Sequence, residues 1–338
     1  MLRVDIGVFA HDEADGIAAM IAGLARQDIL TDAGIDARVL LLANGCTDDT
    51  ATLARAAAFP ALHVEELPQG GKSRTWNRFV HDLSRQDADL LVFCDADIAL
   101  PQPDALSRLV RGLAHRPALQ VLNSRPVKDI AYRPEGLSFT DRLISAGGGG
   151  LDDWKTAICG QLYAMPAAAA RRFHLPVGLP VEDGFLRAMV LTDALTEEGE
   201  SLGRIDGLDD LFHVYASERS IRALIRHQTR IVVGSAVNAA CFAHLRRLPA
   251  NRRHAELERA ARDADWLSRV LRAELPRAPF GYVPLHFLTK RVVRAAEAPR
   301  ESLRPKRAMT VLLGAGFDLI VYLAAQIRMA RGTGAGFW

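Results

Sequence analysis

The sequence has few cysteines and few aromatic residues, and each shortage argues against a class of protein. Of 338 residues, four are cysteines and 7% are aromatic. The cysteines are far apart and form no CxxC pair, which argues against a zinc site or a disulfide framework and favours the reducing cytoplasm. They are Cys46, Cys94, Cys159 and Cys241. No basic patch is interleaved with aromatic residues, so nucleic acid is not expected as a partner.

A net charge close to zero conceals an uneven distribution of charge along the chain. Residues 1–218 carry 20 Lys and Arg against 32 Asp and Glu, whereas residues 219–338 carry 22 against 8. A basic C-terminal part favours an anionic partner, either a phosphate-bearing ligand or a membrane surface. The alternative is a basic helical face that is merely solvated. We therefore predict an α/β domain over 1–218 and a helical, basic appendage over 219–338.

A membrane-spanning helix needs about 20 apolar residues, and the most apolar helical segment is shorter. This segment, 310–325, contains Asp318 and is flanked by basic residues. The pattern fits a helix lying in a membrane surface as well as a helix packed on the protein. No signal peptide pattern is recognised before the first predicted strand. We expect a cytoplasmic protein, with peripheral attachment to the inner face of the cell membrane slightly favoured.

The apolar run Leu90–Cys94 stops on two carboxylates, Asp95 and Asp97. Such a run predicts a strand buried on both faces of a parallel sheet. Ligands of open α/β sheets bind at the carboxyl ends of such strands. Aspartate oxygens are ligands that suit Mg²⁺ or Mn²⁺. We predict the functional centre at this strand end.

Strands and helices alternate in the first part of the chain, which predicts a mainly parallel sheet. Strands are predicted at 4–9, 38–43, 62–64, 90–94, 120–124 and 211–215, with a strand pair over 156–165. Helices are predicted at 75–84, 220–243 and 255–275, among others. Gly147–Gly150 predicts a loop, either a plain linker or a lid over a cleft.

Polar motifs follow several of these strands, and each allows two interpretations. Gly70–Arg74 either cradles a pyrophosphate or caps a helix, and it lacks Walker A spacing. Asn44 begins a segment that forms a turn or contacts a nucleoside. Glu182 and Asp183 cap a helix or supply a general base. His213 is by default a core histidine, or else a third metal ligand beside the two aspartates.

Taken in order, these motifs resemble those of family-2 glycosyltransferases with the GT-A fold, over about residues 4–235. The matching segments are VFAHDE at 8–13, NGCTDDT at 44–50, GKSRTWN at 71–77, CDAD at 94–97, CGQ at 159–161 and VED at 181–183. The resemblance implies an α/β fold with a mostly parallel mixed sheet flanked by helices. It also implies donor-binding residues, namely Ala10, Glu13, Asn44, Lys72, Asp95, Gly160 and Arg230. Asp97 and Asp95, with His213, would bind the metal, and Asp183 would be the catalytic base.

The implied reaction is inverting transfer of a sugar from a nucleotide-diphosphate sugar to a hydroxyl acceptor, with Mg²⁺ or Mn²⁺ as cofactor. The basic C-terminal part suggests a lipid-linked or cell-envelope acceptor. The sequence departs from the family pattern where Ala10 replaces proline and Asn44 replaces aspartate. One alternative is a nucleotidyltransferase, disfavoured because acidic residues stand where its glycine-rich loop is expected. The other is a non-catalytic module that binds a membrane surface.

Overall fold

The computed structural model describes residues 1–135, 153–275, 281–297 and 305–332. The predicted glycine loop, Gly147–Gly150, lies outside these residues. The chain packs into two compact units. The first comprises the described parts of Met1–Val177, Glu182–Ser217 and Leu248–Ala264, and the second those of Gly178–Val181, Glu218–Arg247 and Asp265–Trp338. The proposed division into domains 1–218 and 219–338 stays a prediction.

The first unit is built on an eight-stranded sheet with strand order β3-β2-β1-β4-β7-β6-β8-β5. The strands are β1 (Leu2–Ala10), β2 (Ile35–Asn44), β3 (Leu62–Leu67), β4 (Leu90–Asp95), β5 (Ile98–Ala99), β6 (Val121–Lys128), β7 (Leu162–Pro166) and β8 (Ile205–Tyr215). The helices before β8 are α1 (Ile17–Ala25), α2 (Thr50–Ala56), α3 (Lys72–Asn77), α4 (Ala105–Ala114), α5 (Asp129–Tyr132), α6 (Ala167–Ala170) and α7 (Glu182–Thr192). A π-helical segment, Arg78–Leu83, continues α3.

The first four long strands run parallel, as predicted. β1 pairs with β2 and β4, and β2 pairs with β3. β7 runs antiparallel to β4 and β6, which makes the sheet mixed. Leu91, Val92 and Phe93 of β4 are almost wholly buried, because helices cover both faces of a parallel sheet. The predicted fold class, a mostly parallel mixed sheet flanked by helices, is confirmed.

Local predictions fail where a glycine or a short break interrupts the pattern. The strand pair predicted over 156–165 is wrong: β7 begins only at Leu162, after Gly160 takes a left-handed φ of 65°. The helix predicted over 255–275 is two helices, because the first ends at Ala260 and the second begins at Trp266. The helix predicted from residue 75 begins at Lys72.

The helices of the C-terminal part are α8 (Ile221–Arg247), α9 (Ala250–Ala260), α10 (Trp266–Glu274), α11 (His286–Glu297) and α12 (Pro305–Ala330). Of these, α9 belongs to the first unit and the others to the second. α12 is longer than the predicted 310–325 segment. Its stretch Val311–Ala330 has 20 residues and a mean hydropathy of 1.5, enough by length and composition to cross a membrane. It is the only such helix in the described part of the chain.

The loops that follow β2 and β3 approach each other closely at two glycines. Gly45 adopts a φ of 59°, and a Cβ atom added there would lie 2.6 Å from the backbone of Gly70. A side chain at this position is therefore excluded both by the left-handed conformation and by lack of space. The contact holds the segment after Asn44 against the segment before Lys72.

We expect Gly45→Ala to lower the free energy of unfolding by about 2 kcal/mol, because the new methyl group must displace the Gly70 backbone. Urea unfolding followed by circular dichroism measures the change. Gly23→Ala in α1 is the matched control, since an added Cβ meets nothing within 4 Å. A helical Gly→Ala change with free space is expected to raise stability by up to about 1 kcal/mol. Equal effects of the two substitutions would contradict the packing argument.

Candidate functional site

The two aspartates of the DAD segment lie where β4 ends, and backbone hydrogen bonds fix the turn that carries them. Asp95 N–H donates to the Gln161 carbonyl at 2.8 Å, and Ala96 N–H donates to the Phe9 carbonyl at 2.9 Å. Asp95 is half-buried and Asp97 is exposed. The short β5 follows at once and pairs with β8. The carboxylates are therefore presented by a rigid turn between two strands.

Lys72, at the start of α3, connects three parts of this region. Its Nζ lies 2.7 Å from Asp95 Oδ2, 3.0 Å from the Gly160 carbonyl and 3.4 Å from Glu182 Oε1. Burial opposes the charge on this lysine, but Asp95 and Glu182 outweigh burial and raise the pKa above its ordinary value. Lys72 therefore ties the end of β4 to the start of α7.

Burial is the main reason that two carboxylates of this region have raised pKa values, and repulsion from neighbouring carboxylates adds to it. Burial raises the pKa of Glu13 to about 7, and Asp97 and Asp48 add to the rise. Burial also raises the pKa of Asp95 to about 7, with Lys72 opposing the rise and Asp97 adding to it. A divalent cation held by Asp95 and Asp97 would offset the repulsion between them. The donor set is all carboxylate oxygen, which fits Mg²⁺ or Mn²⁺.

Two buried polar side chains at the same edge have no hydrogen-bond partner among the described residues. They are Asn44 at the end of β2, with both amide atoms unpaired, and Ser73 in the first turn of α3. An unpaired buried amide costs about 1–3 kcal/mol, so such a group is usually explained by a ligand or water. Ala10, at the neighbouring end of β1, is buried. The arrangement around Asn44 suits a ligand that offers both donors and acceptors.

Asp183 lies in the first turn of α7, beside the Gly160 turn. A Cβ atom added at Gly160 would lie 3.1 Å from Asp183 Oδ2, so glycine permits the approach. Asp183 Oδ1 also accepts a 2.7 Å hydrogen bond from the N–H of Gly184. Asp183 is also close enough to Lys72 to help raise the pKa of that lysine. Its assignment as the base stays a prediction.

His213 is fully buried in β8, and both of its ring nitrogens have protein partners. Nε2 lies 3.1 Å from Gln161 Oε1, and Nδ1 lies 3.0 Å from Ser124 Oγ. Burial lowers its pKa to about 3, so the ring is neutral. The neutral ring then donates from Nε2 to the Gln161 oxygen and accepts from Ser124. In this conformation both nitrogens have protein partners, and His213 supports Gln161. Its role as a third metal ligand stays a prediction.

Some residues of this region were not singled out from sequence. Gln161 holds the Asp95 turn through its carbonyl, and Glu182, for which a helix cap and a general base were both considered, forms an ion pair with Lys72. Both stand in quoted motifs, CGQ and VED, so the motifs did contain the signal. Arg230, predicted to contact the donor, lies half-buried in α8 of the second unit. Its role stays a prediction.

Residues 5–165 match the sequence model of the family described as glycosyl transferase family 2. The family predicted from the motifs is confirmed over this stretch. The match includes every predicted donor and metal residue from Ala10 to Gly160 and ends before Asp183, His213 and Arg230. A search of curated proteins finds no match.

Solved structures of glycosyltransferases have the same fold. The mannosyltransferase PcManGT from Pyrobaculum calidifontis, solved with GDP-Man and Mn²⁺, is 18% identical, with a TM-score of 0.53 over 95% of this chain and 86% of that one. Glucosyl-3-phosphoglycerate synthase from Mycobacterium tuberculosis, solved with Mg²⁺ and UDP, is 20% identical, with a TM-score of 0.47 over 70% of this chain and 77% of that one. At these identities the likeness concerns the fold alone, and the second score is too low to support an inference.

The raised pKa of Glu13 has a measurable effect on stability. Because the pKa in the folded state, about 7, is above the ordinary 4.5, the folded state binds the proton more tightly than the unfolded state. The contribution of Glu13 to stability is therefore present at acidic pH and lost as the pH rises through 7. The difference in pKa sets a ceiling of about 3 kcal/mol, which solvent screening reduces to about 1.

We expect Glu13→Gln to stabilise the folded protein by about 1 kcal/mol at pH 8 and to have little effect at pH 5. Urea unfolding at both pH values, with EDTA present, measures the difference. The exposed Glu198→Gln is the matched control. A gain from Glu13→Gln that is the same at both pH values would refute the electrostatic cause.

Proposed function

We propose that this protein transfers a sugar from a nucleotide-diphosphate sugar to a hydroxyl acceptor, with inversion at the anomeric carbon. The observation that carries the proposal is the position of Lys72, which contacts Asp95 and the Gly160 carbonyl and whose pKa is raised in part by the nearby Asp183. It connects a carboxylate pair suited to a divalent cation with a carboxylate suited to act as a base. The family match over 5–165 and the unpaired Asn44 amide support a nucleotide donor.

Each residue then has a stated task in the reaction. Asp183 accepts the proton of the acceptor hydroxyl as its oxygen attacks the anomeric carbon. Asn44 and Glu13 bind the nucleoside, and Lys72 exchanges one of its present partners for a diphosphate oxygen. Asp95 and Asp97 would hold Mg²⁺ or Mn²⁺, which when bound neutralises charge on the leaving diphosphate. His213 keeps Gln161, and hence the Asp95 turn, in place.

We also propose that the acceptor is lipid-linked and presented at the cytoplasmic face of a membrane to which the second unit binds. One face of α12 is exposed and apolar: Leu312 and Leu313 are each 68% exposed, and Ile320 is 53% exposed. The opposite face carries Asp318, which forms an ion pair with Arg291 at 2.8 Å. A helix with polar protein contacts along one side and bare leucines along the other suits the membrane surface better than a full span.

Two substitutions test the assignments of Asp183 as the base and Asp97 as a metal ligand separately. We expect Asp183→Asn to lower sugar transfer by about 10²- to 10⁴-fold while donor binding persists, because only proton removal is lost. We expect Asp97→Asn to abolish the Mn²⁺-dependent part of donor binding. Thermal shift with a panel of nucleoside diphosphates and nucleotide sugars, with and without Mn²⁺, measures binding, since a ligand at 100 times its Kd adds about 2.7 kcal/mol.

Asp104→Asn is the control for Asp183→Asn, because Asp104 likewise stands at the start of a helix, α4, but lies outside the site contacts described above. Full transfer by Asp183→Asn would refute the base assignment. Stabilisation by nucleoside triphosphates with release of pyrophosphate would favour the nucleotidyltransferase instead. No stabilisation by any nucleotide would refute the proposed donor class.

Membrane binding is tested by sedimentation of the full chain with lipid vesicles. We expect binding to vesicles that contain anionic lipid and a marked loss of binding in Leu313→Asp or Ile320→Asp, since a charge is then placed in the apolar face. Leu202→Asp is the control, because Leu202 is a 53% exposed leucine of the first unit. Equal binding by all variants would refute the role of α12. Extraction from cell membranes by detergent alone would indicate a spanning helix.

A further inference from the structure

We propose that His11, Asp12 and Cys46 form a binding site for Zn²⁺, separate from the carboxylates at the end of β4. Their ligand atoms all lie within 4.8 Å of one another, the one such His/Cys/carboxylate group of three in the described residues. The inference does not depend on the proposed sugar transfer. The absence of a CxxC pair disfavours zinc only for sites built within one loop, whereas this group joins two.

The sheet brings the two loops together. β1 and β2 are parallel neighbours and remain in register to their ends, where Ala10 pairs with Ala43. His11 and Asp12 directly follow β1, and Cys46 follows β2 after the left-handed turn at Gly45. Cys46 Sγ lies 3.5 Å from the Ala10 carbonyl, which places the thiol over the end of β1.

A hydrogen bond to the Asn44 carbonyl orients the His11 ring. His11 Nδ1 lies 2.7 Å from the Asn44 carbonyl, to which it donates, and this bond directs Nε2 toward Asp12 Oδ2 at 3.9 Å. A metal-binding histidine usually donates its other N–H to a carbonyl or carboxylate, and the geometry here is of that kind.

The Asp12 carboxylate, like the His11 ring, is oriented by hydrogen bonds. Thr47 N–H donates to Asp12 Oδ1 at 2.6 Å, and the Thr47 hydroxyl lies 3.2 Å from Oδ2. Asp12 itself has a φ of 53°, a conformation that aspartate tolerates better than most residues. Two of the three ligands are therefore oriented by neighbouring groups before any ion binds.

The mixture of ligand atoms favours Zn²⁺ over the Mg²⁺ or Mn²⁺ proposed for Asp95 and Asp97. Imidazole nitrogen, thiolate sulfur and carboxylate oxygen are the ligands of tetrahedral Zn²⁺, with bonds of about 2.0–2.3 Å and a fourth position open to water. Mg²⁺ and Mn²⁺ prefer oxygen and gain little from a thiol. On binding, Cys46 loses its S–H proton to solvent and the thiolate binds the ion, so binding tightens as the pH rises.

Cobalt substitution tests the site independently of activity. Co²⁺ takes zinc's tetrahedral geometry, and a thiolate bound to it gives a near-ultraviolet charge-transfer band that oxygen ligands do not. We expect the full chain to develop this band with one equivalent of Co²⁺ and to lose it when Zn²⁺ is added, because Zn²⁺ binds more tightly. Cys46→Ser and His11→Gln should remove the band or weaken binding at least tenfold.

Substitutions at two other cysteines, Cys94 and Cys241, and at Asp97 provide the controls. Cys241→Ser and Asp97→Asn should keep the band, since neither touches the proposed ligands. Cys94→Ser distinguishes the two sites, because Cys94 is next to Asp95 and is close to Asp97. Absence of a band in the unaltered protein, its persistence in Cys46→Ser, or its loss in Cys94→Ser with retention in Cys46→Ser would overturn the proposal.

Discussion

The half-buried ammonium of Lys72 is the constraint on which the arrangement of the first unit's functional edge depends. A charge in this position is tolerated only because Asp95, Gly160 and Glu182 surround it. These partners come from the end of β4, the turn before β7 and the start of α7, which are far apart in sequence. Stability therefore requires the three segments to meet, and the meeting also brings together the groups suited to bind a cation and a donor.

The polar side chains at the two ends of β1 differ in whether they have partners. At the start of the strand, Asp5 is fully buried but is paired with Arg38 and Arg85 at 2.7 and 2.8 Å. At the other end, burial raises the pKa of Glu13, and the Asn44 amide has no hydrogen-bond partner among the described residues. A protein selected for stability alone would pair these groups as it pairs Asp5. The unpaired end is therefore better explained by a ligand than by packing.

Much of this edge follows from sequence, and the part that does not depends on contacts between distant segments. Hydrophobic runs that stop on polar residues predict strands and their ends, so the positions of Asn44 and Asp95 were predictable. The pairing of His213 with Gln161 was not, because nothing local distinguishes a buried histidine that supports a loop from one that binds a metal. Gly160 shows the same limit: its left-handed φ ends a predicted strand, yet that conformation is set by the neighbouring turn and α7.

Composition alone does not decide whether α12 spans a membrane or lies on its surface. The hydrogen bonds and ion pairs of its polar residues bear on that choice. Hydropathy alone treats Val311–Ala330 as a possible span. Asp318 pairs with Arg291, and the Gln326 amide donates to the Val283 carbonyl, so one side of the helix is committed to its own unit. Moving that side into lipid would require breaking these bonds without replacement. The exposed leucine side makes neither of these bonds and is the side that we propose to meet a membrane surface.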